Sequence, residues 1–379
     1  MKYISTFCLI ILLFLQTSGM HYTYLPTGKN VRINDTLIQA LNREAPKLLT
    51  KHKVPAVGVA IVENGKIKDK AIYGWQEPDL LASDKTLFNV ASLTKPVTFE
   101  TILRIIATGK ISLDEPMWPY WVDPDIKNDT LHKLLTPRIC LSHQTGFGNW
   151  RNESPDSLLE FKFKPGTAFG YSGEGYNYVA RFVEKKLGKT FEELAQEYIF
   201  DPIGMKNTSY SWRNWMKGRI AIPANNTGKY GLPENQPTGN WDAANNLSTT
   251  IEDYGLFLAS VIKGEMLTKE LIEERLKIYS STTYKFECNL SPASLCPTSC
   301  GMTLSWERFN FSSNTLMMHL GGNLRPDGAG EAAVVYYYPQ QNRGVVILTS
   351  GRNGDAVFSD LIDIVDANWP LRALFRAKK

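Results

Sequence analysis

The chain has 379 residues, with 42 basic against 38 acidic side chains and a formal net charge of +4. This near balance, with no basic block able to track phosphates, argues against nucleic acid as a partner. Hydrophobic residues make up 43% of the sequence, enough to fill a large core in one or two domains.

The N-terminus differs in kind from the rest. Lys2 precedes an apolar run from Ile4 to Leu15, followed by the small and polar residues Gln16 to Gly19. That run is too short to span a bilayer and fits a secretory signal. Residues 1–19 are therefore read as a signal peptide and 20–379 as the mature chain, exported to a periplasm or secreted. An uncleaved N-terminal anchor is the alternative. No later segment is long and apolar enough for a membrane helix, so no stable span is expected after cleavage.

Export alters the reading of the cysteines. With Cys8 inside the signal, Cys140, Cys288, Cys296 and Cys300 remain. The last three crowd one loop-like stretch, where an oxidising compartment favours a disulfide among them, its pairing left open. A zinc site is the other reading, but no histidine lies near and the spacing fits no standard pattern. No metal or cofactor is expected. Cys140, between Ile139 and Leu141, reads as a buried free thiol.

Along the mature chain, Leu37, Ile38, Leu41 and Leu48 recur at helical spacing between Thr36 and Leu49. Ala56 to Val62 and Ile67 to Trp75 read as strands joined by a hairpin at Asn64-Gly65. Near the other end, Gly301 to Arg308, Thr315 to His319, Glu331 to Tyr338 and Arg343 to Ser350 are strand-like. Ala356 to Val365 then carries Phe358, Leu361, Ile362 and Val365 on one helical face. The economical packing is an α+β fold, an antiparallel sheet joining strands from both ends and flanked by the terminal helices. A mostly helical insertion over roughly 100–290 would lie beside it, leaving a cleft between the two parts.

Three short stretches carry chemistry. Ser92 and Lys95 begin a segment whose apolar positions Val97, Ile102, Leu103, Ile105 and Ile106 suit a buried helix. Three residues apart on one helix face, the two side chains can touch. A serine hydroxyl needs a nearby base, and a lysine serves only if desolvation or another cation lowers its pKa. Alone, Ser-x-x-Lys also occurs on many exposed helices. Tyr171 sits on a glycine-flanked turn leading into a helix, where its phenol can project into a cleft or simply pack the turn. His319 ends a strand and precedes Gly321 and Gly322, where a strand backbone can approach a ligand closely. An amide there could join the Ser92 N–H in an oxyanion hole worth about 3 kcal/mol per donor.

In this order the stretches resemble the serine β-lactamase and penicillin-binding D,D-peptidase superfamily, in its class C-like branch. The resemblance runs from about Pro55 to Ser350. It takes in Pro55 to Glu63, Phe88 to Pro96, Gly109 to Asp114, Leu141 to Gly146, Pro165 to Met205, Leu247 to Thr249 and His319 to Gly321. It implies a β-lactamase/transpeptidase-like fold and two-step acyl transfer on a small-molecule or peptide substrate, such as a cell-wall peptide. Ser92 would be the nucleophile, Lys95 and Tyr171 its joint proton carriers, and His319 the residue opposite. The backbone N–H groups of Ser92 and Gly322 would form the oxyanion hole. Gly321 would line the substrate site, and His143 would be structural.

Two departures bear on specificity. The family's Tyr-x-Asn reads Tyr171-Ser172-Gly173, so the amide contact is absent or supplied elsewhere. The third motif is His319-Leu320-Gly321 rather than Lys-Thr-Gly. Both weaken the expectation of efficient β-lactam hydrolysis and leave a D,D-peptidase or D-aminopeptidase, a carboxylesterase and a β-lactamase as possible activities. A non-catalytic penicillin-binding sensor is the reading from another class, though such proteins tend to lose the lysine or tyrosine kept here. Arg352 could clamp a substrate carboxylate or sit in a surface salt bridge.

Overall fold

A computed structural model of the chain describes residues 36–232, 241–280, 288 and 295–377. The signal-peptide expectation falls on 1–19, outside the described residues. Helix α1 (Leu37–His52) opens with a reciprocal cap in which Thr36 and Gln39 each bond the other's backbone. Strands β1 (Ala56–Glu63) and β2 (Lys66–Glu77) follow. The turn between them places both Asn64 and Gly65 at positive φ, 51° and 69°, as a two-residue hairpin of this kind requires.

The strands from both chain ends meet in one sheet. With β3 (Leu80–Leu81), β6 (Ser299–Met302), β7 (Glu307–Asn310), β8 (Thr315–Leu324), β9 (Gly330–Tyr338) and β10 (Arg343–Thr349), the order is β3-β2-β1-β10-β9-β8-β7-β6. Pairing of β1 with β10, Val57 opposite Thr349 through Glu63 opposite Arg343, ties N-terminus to C-terminus. Two expectations shift. The single strand read over Gly301 to Arg308 is a hairpin, β6 and β7, closed by Thr303, whose hydroxyl accepts the Trp306 N–H. None of Thr303, Leu304 or Ser305 is a glycine or proline, so the turn left little trace. Strand β8 also runs on through both glycines to Leu324, because β9 pairs with it along that whole length.

Alternation along each strand sorts the side chains onto two faces. Val57, Val59, Ile61, Val334, Tyr336, Val345 and Ile347 face α1 and α9 (Gly354–Val365), the latter contributing Phe358, Leu361, Ile362 and Val365. Ala60, Val62, Ala333, Val335, Val346 and Leu348 face the helical part. That part includes α2 (Thr94–Ala107), α3 (Pro137–Leu141), α4 (Gly173–Leu187), α5 (Phe191–Ala195), α6 (Asp201–Ile203), α7 (Ile251–Lys263) and α8 (Lys269–Leu276). A short pair, β4 (Phe88–Asn89) with β5 (Ser248–Thr249), stitches the stretch before Ser92 to the insertion. Helix α2 is buried from Thr94 to Ile105 on every side, which makes it the central core helix. The antiparallel sheet between terminal helices and a helical insertion is the α+β arrangement expected. Among the described residues no helix is long and apolar enough to cross a membrane.

Cys288 and Cys296 form a disulfide, while Cys140 and Cys300 are free thiols. Burial pushes the Cys140 thiol well above its ordinary pKa, so it stays protonated and inert.

Candidate active site

Ser92 sits in the turn just ahead of the helix rather than within it. Residues Ala91–Leu93 form a 3-10 turn and α2 begins only at Thr94. Ala91 adopts φ +48°, a left-handed conformation costing a non-glycine residue roughly 1–2 kcal/mol. Its N–H is held by Asn89 Oδ1 at 2.9 Å, and its carbonyl accepts the Thr94 hydroxyl at 2.6 Å. The turn lifts Ser92 to a half-buried position while the helix behind it is fully enclosed.

Lys95 is buried completely, with Nζ 3.1 Å from Ser92 Oγ. The amine also donates to the Ala244 carbonyl at 3.0 Å. Around it stand three rings, with centroids 4.7 Å (Tyr171), 5.7 Å (Trp150) and 5.9 Å (Tyr176) from Nζ. Burial lowers the Lys95 pKa to about 7, against the pull of the nearby Asp242 carboxylate. A lysine of that kind exists partly as free amine at neutral pH.

Helix α2 fixes the opposing loop with three neighbouring side chains. Thr94 accepts from the Leu247 N–H, Lys95 donates to Ala244 and Thr98 donates to the Ala243 carbonyl. From the other side, Asp242 accepts the Ala244 N–H at 2.7 Å and Asn177 the Ala243 N–H at 2.9 Å. Burial raises the Asp242 carboxyl above the usual range. The sequence reading missed this loop. Its only trace was the Leu247 to Thr249 stretch beside it.

Tyr171 lies beside the lysine, its ring centroid 4.7 Å from Nζ, and burial raises its phenol well above its ordinary pKa, with the Ser92 hydroxyl acting the other way. His143 anchors it on three sides. The imidazole stacks on the Tyr171 ring at 4.4 Å, its Nδ1 accepts the Ser172 N–H at 3.0 Å, and its carbonyl accepts the Gly170 N–H at 2.8 Å. Since Nδ1 accepts, the proton is on Nε2, which is buried without a partner among the described residues. Burial holds the ring far below its ordinary pKa. His143 is thus a neutral support under Tyr171, in keeping with its expected structural role.

His319 belongs to the β8 face turned toward the helical part. It is 3% exposed, its Nδ1–H donates to the Leu320 carbonyl at 2.7 Å, and Nε2 has no partner among the described residues. Burial and the Lys95 charge lower its pKa to about 3, so at neutral pH it offers only a lone pair. Two residues on, Gly321 presses against the nucleophile turn. A Cβ there would collide with the Val90 carbonyl and stand 3.2 Å from the Leu93 nitrogen. Gly322 is exposed, and a Cβ there would meet only the Glu331 carbonyl oxygen, at an ordinary contact distance of 3.7 Å. Close approach therefore demands glycine at 321 and not at 322.

Trp150 is the second residue the sequence reading passed over. A Cβ on Gly173 would stand 2.5 Å from its ring, so the indole fills the space beside the first turn of α4. Arg352 is exposed, and among the described residues it has neither an ion pair nor a side-chain contact with this group. The salt-bridge alternative therefore finds no partner.

A serine touching a buried, pKa-lowered lysine, with a phenol and a glycine-backed strand around them, is an arrangement chemically able to support acyl transfer through serine. The chain belongs to the Beta-lactamase family, whose model matches residues 35–367. That family is one of serine hydrolases. The chain is 22% identical to Protein flp of Staphylococcus aureus (strain MW2) over 320 residues, covering 80% of this chain and 61% of that protein. It is 28% identical to Beta-lactamase-like protein 4 of Dictyostelium discoideum, covering 57% of this chain and 44% of that one. The chain thus spans about three-fifths of the length of the first of these relatives, and less of the second. Among solved structures it is similar to the octameric penicillin-binding protein homologue from Pyrococcus abyssi (TM-score 0.70, 20% identity, 88% of this chain and 78% of that one). It is also similar to the D-alanine carboxypeptidase AmpC from Burkholderia cenocepacia (TM-score 0.68, 18% identity, 88% and 99%). At these identities the likeness shows the fold.

Proposed function

We propose that the protein is an exported serine hydrolase that is acylated on Ser92 and cleaves a small amide or ester, with a D-amino-acid peptide of the cell-wall type as the favoured substrate. The observation that carries this reading is the 3.1 Å separation of Ser92 Oγ from a wholly buried Lys95. With one N–H given to Ala244, the free amine keeps a lone pair for the serine proton. Ser92 Oγ attacks the substrate carbonyl and its proton passes to Lys95. Tyr171, kept protonated by burial and standing beside Lys95, relays the proton from the lysine to the leaving group. The leaving group departs as amine or alcohol. Water then splits the acyl-serine ester, giving a carboxylic acid and restoring the Ser92 hydroxyl.

The N–H groups of Ser92 and Gly322 hold the oxyanion in this scheme, with Gly321 fixing the strand at the required distance. His319 offers its Nε2 lone pair to a substrate N–H or O–H. The exposed guanidinium of Arg352 is available to a substrate carboxylate. Export is supported by the Lys2 to Gly19 pattern and by the Cys288–Cys296 disulfide.

The test is hydrolysis of a D-alanyl-D-alanine-terminated peptide, D-alanine p-nitroanilide and p-nitrophenyl acetate by the wild type and by Ser92→Ala. Turnover of at least one substrate, lost in Ser92→Ala, is expected. Equal turnover by both proteins would contradict the mechanism.

A further inference from the structure

Residues 117–121 form one tight turn, in which the Met117 carbonyl accepts the N–H groups of Tyr120 and Trp121 at 3.0 and 3.1 Å. The Met117 N–H donates to the Leu135 carbonyl at 3.2 Å, which sets this turn beside residues 133–135. Met117 and Leu135 are wholly buried in the core, and their chain neighbours Trp118 and Leu134 turn outward. Trp118, Tyr120 and Leu134 are 45%, 47% and 39% exposed. Each ring of the turn has an ammonium beside it. Lys133 Nζ is 5.9 Å from the Trp118 ring centroid, Lys186 Nζ 4.8 Å from Tyr120 and Lys185 Nζ 6.0 Å from Trp121.

The nearby carboxylates are largely committed. Glu115 pairs with Lys186, Asp123 and Asp125 with Arg151, and Glu184 with Arg181. Lys127 and Asp129, farther along the segment, have no ion-pair partner among the described residues, and their charges cancel. Lys133 and Lys185 are exposed and also lack a carboxylate partner among the described residues, so the rim of this face is positive. Tryptophan and tyrosine beside lysine is the composition of a lipid headgroup boundary, where amphipathic rings lie at headgroup depth and ammoniums meet phosphates. A protein interface has another composition, with lysine depleted around its aromatic anchors. We propose that the face formed by Trp118, Tyr120 and Leu134, with Lys133 and Lys185 at its rim, docks the protein on the surface of an anionic lipid bilayer. The attachment is peripheral, reversible and weakened by salt. It stands apart from the reading of Ser92.

The experiment is cosedimentation of the mature protein with vesicles of phosphatidylcholine alone and of an equal mixture of phosphatidylcholine and phosphatidylglycerol. Wild type is compared with the double variants Trp118→Ala/Tyr120→Ala and Lys133→Gln/Lys185→Gln. Every substitution is at an exposed site, and thermal unfolding checks that each variant folds. The wild type is expected to sediment with the mixed vesicles and to stay largely free of pure phosphatidylcholine. Each double variant should lower the partition coefficient on mixed vesicles about tenfold. No wild-type binding to the mixed vesicles, or equal binding to both kinds, overturns the proposal. An unchanged partition coefficient in either folded variant does so too, because rings and ammoniums are both required. A wild-type dimer that Trp118→Ala/Tyr120→Ala breaks apart without vesicles would assign the face to a second copy of the chain instead.

Discussion

The indole ring of Trp150 occupies the place where a side chain on Gly173 would begin, its Cζ3 and Cη2 only 2.5 Å from that Cβ position. The same ring stands 5.7 Å from the Lys95 amine. Asn149, next to it, accepts the N–H groups of Gly173 and Glu174 and so pins the loop to α4. Glycine at 173 and tryptophan at 150 are therefore one structural choice, and it accounts for the missing asparagine of the Tyr-x-Asn pattern.

That pairing makes a directional prediction. Gly173→Ala overpacks the site and should lower stability by about 1–3 kcal/mol, with activity falling as Tyr171 and Lys95 are displaced. Combining it with Trp150→Ala should recover part of the stability lost through Gly173→Ala. Thermal unfolding of the two single variants and the double variant checks this, and strictly additive losses would speak against the pairing.

In the proposed mechanism the Lys95 amine sets the acid limb of the pH profile. Its pKa is lowered to about 7, and only the unprotonated form can take the serine proton. Activity should therefore rise through pH 7 and be lower at pH 5 by about a hundredfold, tenfold for each unit below the pKa. Tyr171 is held protonated throughout that range. His319, lowered to about 3, stays neutral down to strongly acid pH. Neither should add an inflection between pH 5 and 8 in a profile of kcat/KM.

Asp242 tunes this limb from behind the loop. Its charge favours protonated Lys95 and raises that pKa. Asp242→Asn keeps an oxygen for the Ala244 N–H and removes the charge, so the acid limb should move to lower pH. A shift to higher pH, read from the same profile, would contradict the assignment.

Gly321→Ala tests the contact between strand and nucleophile turn. The added methyl would meet the Val90 carbonyl, forcing β8 away from Ser92. Loss of one oxyanion donor costs about 10²–10³ in kcat, and a loss of that order is expected. Gly322→Ala meets no atom closer than 3.7 Å and should cost far less. Equal losses in the two variants would remove the distinction between them.

Much of the fold was legible because its signals are local. Asn64-Gly65 marked a hairpin, and the 3.6-residue spacing of Phe358, Leu361, Ile362 and Val365 marked α9. Ser92 and Lys95 were legible as a pair because they lie three residues apart in one chain segment. The parts that escaped depend on distant segments. Ala244 and Asp242 reach Lys95 only because α2 grips their loop across about 150 positions of sequence. Trp150 gains meaning only from the absent Cβ of Gly173. The β6–β7 turn escaped for a different reason, since a threonine side chain closes it without glycine or proline. The left-handed Ala91, which moves Ser92 out of the helix proper, had no residue-type signal at all.

The most direct test of the account is an intact-mass time course of the mature protein with a penicillin, beside Ser92→Ala. The account predicts a covalent adduct of one penicillin mass on the wild type and none on the variant, or penicillin consumed by the wild type alone if the adduct turns over quickly. An adduct of the same mass on Ser92→Ala, or penicillin consumed equally by both, would contradict Ser92 as the acylated residue.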